Sequence, residues 1–259
     1  MALDRVFDIL EYVAERHDVR IGQVCEELNL PRPTAHRLLS QLVRRGYLSH
    51  DQVSHLYQAG PSLVAIGASA AYGSVVYHAE SVLAKLREAT GETANVGLLR
   101  GDRIVYAGTL DGSLLPRMSV VVGEEVPPHA AAIGKAVLAH IKEPDRTRLL
   151  GREPYRRFTH RTKWSRRQVE AELKLTAGRG YAVDNEEVTA DAVCIGSVIL
   201  GQRGEPVGAL SLSATVARFR RESWDGLGAL VAESCTHLSG LLAAASVAPK
   251  RMNGEKSAL

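Results

Sequence analysis

Apolar positions recur at helical spacing three times near the start of the chain. Leu3, Val6, Phe7, Leu10, Val13 and Ala14 predict a first helix with one apolar face. Ile21, Val24, Cys25 and Leu28 fall at i, i+3, i+4 and i+7 and predict a short second helix, ended by Asn29 and Pro31. Ala35, Leu38, Leu39, Leu42 and Val43 repeat the stripe in a third helix, closed by Gly46. The pattern then becomes that of short strands, 47–49 and 55–57, around a polar turn at 50–54. Three helices followed by such a wing make a winged helix-turn-helix.

Beyond Gly60-Pro61, the residues Leu63, Val64, Ile66 and Gly67 predict a linker helix that stops near Tyr72-Gly73. Ala79, Val82, Leu83 and Leu86 predict another, closed near Thr90-Gly91. Period two then takes over, with strands at 93–100 and 103–109 around the tight turn Gly101-Asp102 and a further strand at 117–122. An Ala-rich helix is expected over 129–140. The capping box Ser165-Arg166-Arg167-Gln168 opens a helix that runs to about Arg179. Three strands follow at 181–184, 193–200 and 207–214, then a last helix with Leu227, Leu230, Val231, Leu238, Leu241 and Leu242 on one side. Strands gathered in runs, with helices at their ends, argue for an α+β chain with a mainly antiparallel sheet. The expected organisation is a winged domain at 1–60, a linker helix at 61–74, a second domain at 75–246 and a disordered tail at 247–259.

Composition narrows the class. With 259 residues, 45% hydrophobic and 24% charged, the chain can build two cores and belongs with soluble globular proteins. The net charge of +3 permits nucleic-acid binding without demanding it. Residues 1–72 hold 7 Arg/Lys against 8 Asp/Glu, so any DNA-facing field must come from one surface. The third helix supplies it, since Arg32, Arg37, Arg44 and Arg45 occur between Leu28 and His50 with no Asp or Glu. Its polar positions Arg32, Pro33, Thr34, His36, Arg37, Gln41 and Arg44 are the candidates for contact with double-stranded DNA, in a major groove about 12 Å wide. A helical hairpin with a solvated Arg face is the alternative, and the wing with His50 and His55 weighs against it.

Cys25, Cys194 and Cys235 are too few and too far apart for a zinc framework or a disulfide scaffold. No signal-peptide pattern, no run of about 18 apolar residues, no metal-spaced His pair and no phosphate loop is present. The expectation is a cytoplasmic protein without membrane contact, metal or cofactor.

Several motifs resemble the isocitrate-lyase-regulator (IclR) family of bacterial transcription factors, over roughly residues 3–242. They are Leu30-Pro31-Arg32-Pro33-Thr34-Ala35-His36-Arg37-Leu38-Leu39, Tyr57-Gln58-Ala59-Gly60-Pro61 and Thr90-Gly91-Glu92-Thr93. Three more follow: His129 through Ala136, Gly180 through Glu187 with Cys194-Ile195, and Ala209-Leu210-Ser211-Leu212-Ser213. Pro33 departs from the pattern, since the family carries a small hydroxyl residue there. The resemblance implies a homodimer or homotetramer, a near-palindromic operator, and repression or activation. It also implies a GAF/profilin-like domain binding a small effector at Ala132, Ile133, Asp184, Cys194, Ser211 and Ser213.

Physical chemistry gives these residues roles. Pro127-Pro128 leads into a helix whose first free N–H groups, at about Ala130 to Ile133, suit a carboxylate. Ser211 and Ser213, two apart on a strand, face the same side and can donate to one ligand. Asp184 would accept from a hydroxyl or N–H at the ligand's far end. An organic acid follows, with an aromatic hydroxy-acid a fitting example and a catabolic operon the expected target. A hydrolase built on Cys194, His129 and Asp184 is the competing arrangement, without a nucleophile-elbow sequence to support it. Residues 146–167 carry nine Arg/Lys and read as a solvated basic loop or a nonspecific DNA contact.

Overall fold

In the first part of the chain α1 (Ala2–Arg16), α2 (Ile21–Glu27) and α3 (Arg32–Arg44) precede β1 (Leu48–His50) and β2 (Tyr57–Ala59), paired antiparallel with Ser49 opposite Gln58. The computed structural model describes residues 2–245, so the expected tail lies outside the described residues. Contacts divide the chain into two units, Met1–Gly73 and Ser74–Leu259.

Local chemistry sets the ends of these helices. Gln23 Oε1 accepts the Arg20 N–H at 2.7 Å and opens α2. Asn29, at φ +48°, turns the chain out of it, and Pro31 and Pro33 start α3, where a first-turn proline loses no helical bond. Ile9, Val13, Val24, Ala35, Leu38, Leu39 and Leu48 form the buried core. The α1 stripe differs from expectation: Leu3, Phe7 and Ala14 are exposed, while Ile9, Tyr12 and Val13 are buried. At 100° per residue, positions 3, 7 and 14 share one flank and the buried row lies on another. The wing strands also fall later in the sequence than predicted, because His55 sits at φ +57° and cannot join a ladder.

One helix, α4 (Pro61–Thr90), replaces the expected linker helix and its successor. Gly73 is exposed, and an exposed helical glycine costs only about 1 kcal/mol against Ala, too little to end a 30-residue helix. Next come β3 (Thr93–Arg100), β4 (Arg103–Leu110), α5 (Ala132–Leu138), α6 (Asp145–Leu150), α7 (Arg166–Arg179), β5 (Ala182–Asn185), β6 (Ala192–Leu200), β7 (Pro206–Thr215) and α8 (Trp224–Ala245). The five strands form one antiparallel sheet in the order β4-β3-β7-β6-β5. α5 and α7 cover the face that carries Ala182 and Ala209, and α8 packs on β6 and β7. The fold is thus the α+β arrangement anticipated.

Two glycines let α5 come close. A Cβ on Gly97 would lie 2.6 Å from Ile133 Cγ2, and one on Gly134 would lie 2.6 Å from Pro128 Cα, both closer than packed atoms allow. α5 itself begins at Ala132 rather than His129, since the N–H groups of Ala130 and Ala131 both turn back to the Pro127 carbonyl. The strand expected at 117–122 does not form. Residues 111–131 are irregular chain with a single bridge, Val105 to Glu125, beside the edge strand β4, and Thr93 Oγ1 donates to the Met118 carbonyl to anchor it. The span Arg221–Ala245 is apolar and long enough to cross a membrane by composition alone. In this fold its Val231, Cys235, Leu238 and Leu242 are buried core residues.

Candidate functional site

On α3, Ala35, Leu38, Leu39 and Leu42 are buried, and the complementary side is open. Arg32, Pro33, His36, Arg37, Gln41 and Arg44 are exposed, and Thr34 is half-buried with its N–H on the Pro31 carbonyl. Positions 33, 36, 37, 41 and 44 lie at i, i+3, i+4, i+8 and i+11, which is one helix face. Five of the seven expected contact residues therefore form one surface, with Arg32 exposed beyond its edge and Thr34 partly covered. On the wing, His50 stacks on Tyr57 with ring centroids 4.3 Å apart, so its ring is held.

The second unit gathers all six expected effector residues. Ala132, Ile133, Asp184, Cys194, Ser211 and Ser213 line one cavity of about 90 Å³, together with Tyr106, Val188, Thr189 and the covering residues Met118, Ser119 and Val120. Sheet register does this. Asp184 pairs with Cys194, and Cys194 with Ser213, so three strands place these side chains in a single row. Ser211 belongs to the next row, opposite Asn95. Small residues on these strands and the late start of α5 leave the space open. A larger groove of about 530 Å³ opens at the opposite end of the strands, but none of the six lines it, and its rim mixes Lys142, Arg148 and Arg203 with Asp102, Asp145 and Glu205.

Burial controls the chemistry of the cavity. The Asp184 carboxyl is pushed up to about 6 by desolvation, opposed by Lys135 and by the N–H groups of Glu187 and Val188. Its Oδ1 accepts those two N–H groups at 2.7 and 3.3 Å, so part of its capacity shapes the turn after β5 rather than awaiting a ligand. The Cys194 thiol is pushed up to about 12 by burial and the Asp184 charge, which removes it as a nucleophile at neutral pH. His129 does not line the cavity. Its Nε2 bonds the Arg156 carbonyl at 2.8 Å and its ring packs on Tyr155 and Phe158. The Cys194, His129 and Asp184 grouping is not assembled.

The sequence reading missed three groups here. Asn95 Nδ2 donates to Ser213 Oγ at 3.1 Å and Ser211 Oγ at 3.4 Å, and its Oδ1 accepts from Thr109 Oγ1 at 2.8 Å. With these lone pairs engaged, the serine hydroxyl protons turn toward other acceptors. Lys135 and Glu187 form a buried ion pair beside the cavity. A lone Asn in an apolar strand and a lone Lys in an Ala-rich helix were the available signals.

The basic segment 146–167 is largely exposed and mostly loop between α6 and α7, as expected, but much of its charge is paired. Arg146 faces Glu170 at 3.6 Å, Arg148 faces Asp145 at 3.1 Å, Arg161 faces Glu186 at 3.2 Å, and Arg166 faces Glu143 at 2.8 Å. Lys163 meets Glu187 at 2.8 Å, while Arg156 and Arg157 lie over the Phe158 and Trp164 rings. Most of its charge is spent within the unit.

Residues 70–240 match the bacterial transcriptional regulator IclR C-terminal family, and residues 2–52 match the IclR helix-turn-helix domain. The chain belongs to the IclR family. It is 31% identical over 257 residues to the HTH-type transcriptional regulator BhcR of Paracoccus denitrificans, covering 99% of this chain and 90% of that one. The acetate operon repressor of Salmonella typhimurium is 30% identical over 243 residues, covering 92% and 88%. The crystal structure of Thermotoga maritima IclR superposes with a TM-score of 0.63 at 26% identity, covering 93% of this chain and 98% of that one. IclR proteins are DNA-binding transcriptional regulators that respond to small-molecule effectors, with repressors among the relatives of this chain. The chain is therefore a regulator and not an enzyme.

Proposed function

We propose that this IclR regulator represses a catabolic operon in the cytoplasm, reading a near-palindromic operator with the exposed face of α3 and releasing or tightening its grip when a short organic acid enters the cavity. The observation that carries this reading is the row Asp184, Cys194 and Ser213, with Ser211 beside it, enclosed under Ala132 and Ile133. The two serines and the amides at Ala132 and Ile133 supply donors for a carboxylate, and Asp184 supplies the acceptor for a polar group at the other end. Size selects among acids. A cavity of about 90 Å³ holds roughly three waters at about 30 Å³ each, which favours an acid of three to five carbons over an aromatic hydroxy-acid. Two copies in a dimer or tetramer would set two α3 helices about 34 Å or a multiple apart, matching half-sites on one side of DNA.

A thermal-shift screen of short oxo- and hydroxy-acids, repeated on Ser213→Leu, tests the assignment. A hit should stabilise the wild type and not the cavity-filled variant, and should change operator affinity about 5- to 150-fold. Undiminished binding to Ser213→Leu would place the effector elsewhere.

Two further outcomes are expected. Arg37→Ala should weaken operator binding by about 1–3 kcal/mol and relax the preference at one base pair, measured by gel shift on operator variants. A uniform loss on all sequences, with a shallower salt slope, would make Arg37 a phosphate contact instead. The second outcome concerns pH. Asp184 is protonated below about 6 and anionic above it, so an anionic ligand beside it should bind best below pH 6 and lose affinity as pH rises through that value. Calorimetric titrations from pH 5 to 8 measure this, and Asp184→Asn, which keeps the acceptor oxygen, should flatten the profile.

A further inference from the structure

The outer wall of the cavity is the turn after β5, whose Val188 and Thr189 line the site. Three elements grip that turn. From α5, the Lys135 ammonium donates to the Val183 carbonyl and to Glu187 Oε1, each at 2.5 Å. From the segment before α7, Lys163 Nζ meets the same Oε1 at 2.8 Å. There too, Thr159 and Thr162 donate at 2.6 Å to the carbonyls of Glu186 and Glu187 respectively. From the sheet, Asp184 Oδ1 accepts the N–H groups of Glu187 and Val188. Every one of these bonds ends on residues 183–188.

Lys135 is 0% exposed and Glu187 is 1% exposed, so the pair has surrendered its hydration. For stability alone, two apolar side chains of similar volume would serve as well or better. An apolar pair differs in one respect, because it has no preferred direction. An ammonium shared between a strand carbonyl and a turn carboxylate fixes where the turn runs relative to β5.

We propose that Lys135 is a positioning residue for the cavity: through Glu187 and the Val183 carbonyl it sets the path of the 186–189 turn, and thereby the place of Val188 and Thr189 against a bound ligand. Only the last step rests on reading the cavity as the effector site; the clamp on the turn requires no ligand.

The test compares the full-length wild type with Lys135→Met/Glu187→Met by thermal melting, by hydrogen exchange of the peptide covering 184–191, and by calorimetry with lactate, malonate and 2-oxobutyrate. The double variant should melt within a few degrees of wild type or above it. Its turn amides should nevertheless exchange at least tenfold faster, and any acid that binds wild type should bind at least tenfold more weakly. Wild-type exchange in that peptide would overturn the proposal and leave the pair a structural filler. If none of the three acids binds wild type while exchange still rises as stated, the clamp stands and the effector reading is what fails. Should the double variant not fold, Lys135→Met/Glu187→Leu, a second apolar pair that likewise leaves no buried charge alone, carries the same comparison.

Discussion

Lys135→Met alone should cost the second unit about 3–5 kcal/mol, because it leaves Glu187 buried without its closest cation. For a unit of this size that corresponds to a fall in melting temperature of roughly 6–20 °C. The size of the effect follows from an asymmetry. A complete buried pair adds little net stability, since desolvation offsets most of the attraction, but half a pair keeps the desolvation cost and loses the attraction. Lys163 softens the loss without abolishing it: it reaches the same Oε1 at 2.8 Å, whereas Glu187 Oε2 is buried with no hydrogen-bond partner among the described residues. The Val183 carbonyl also loses its donor. Trp164 and Trp224, the two tryptophans of the chain, both lie in the second unit, so a tryptophan-fluorescence melt reads this unit selectively. A variant melting within 2 °C of wild type would mean that the pair is not buried in solution.

Leu39→Ala should abolish operator binding while leaving that fluorescence melt in place. Leu39 is 0% exposed in the cluster that joins α1, α2, α3 and β1, and truncating such a leucine costs about 2–5 kcal/mol. A domain of about 60 residues has only roughly 3–9 kcal/mol to lose. Most of the first unit's stability would go, and α3 with it, although no group facing DNA has been altered. Circular dichroism should show an early transition absent from the fluorescence trace. A fluorescence midpoint that moved by the same amount would show the two units to unfold as one.

Those two residues also mark how far the sequence could be read. Leu39 was legible because helical periodicity is local: the stripe Ala35, Leu38, Leu39 and Leu42 needs only 3.6 residues per turn. Strand boundaries in the second unit were legible for the same reason. What failed was anything set by distant partners. The alternation in 117–122 looks like a strand, but Met118, Ser119 and Val120 line a cavity and the segment carries no ladder; nothing local announces that. Gly73 looks like a stop, yet it sits on a helix that continues to Thr90. Ser211 and Ser213 could be placed on one side by counting, whereas their alignment with Cys194 and Asp184 is fixed by register, which counting does not provide. Lys135 escaped notice because its partner is 52 positions away, in a motif that reads as an acidic loop. The basic run 146–167 is exposed as it reads, but its partners were not legible, since its neutralising carboxylates are contributed partly by residues outside it.

The register that assembles the cavity has a consequence in the order of synthesis. The core of the DNA-reading unit is closed by Tyr57, whereas the cavity lacks part of its floor until Ser213 has been made and β7 has settled between β3 and β6. At 5–20 residues per second, the sensor trails the reader by roughly 8–30 seconds on every ribosome. During that interval the nascent chain carries a complete helix-turn-helix core while the strands that line the cavity are still being made.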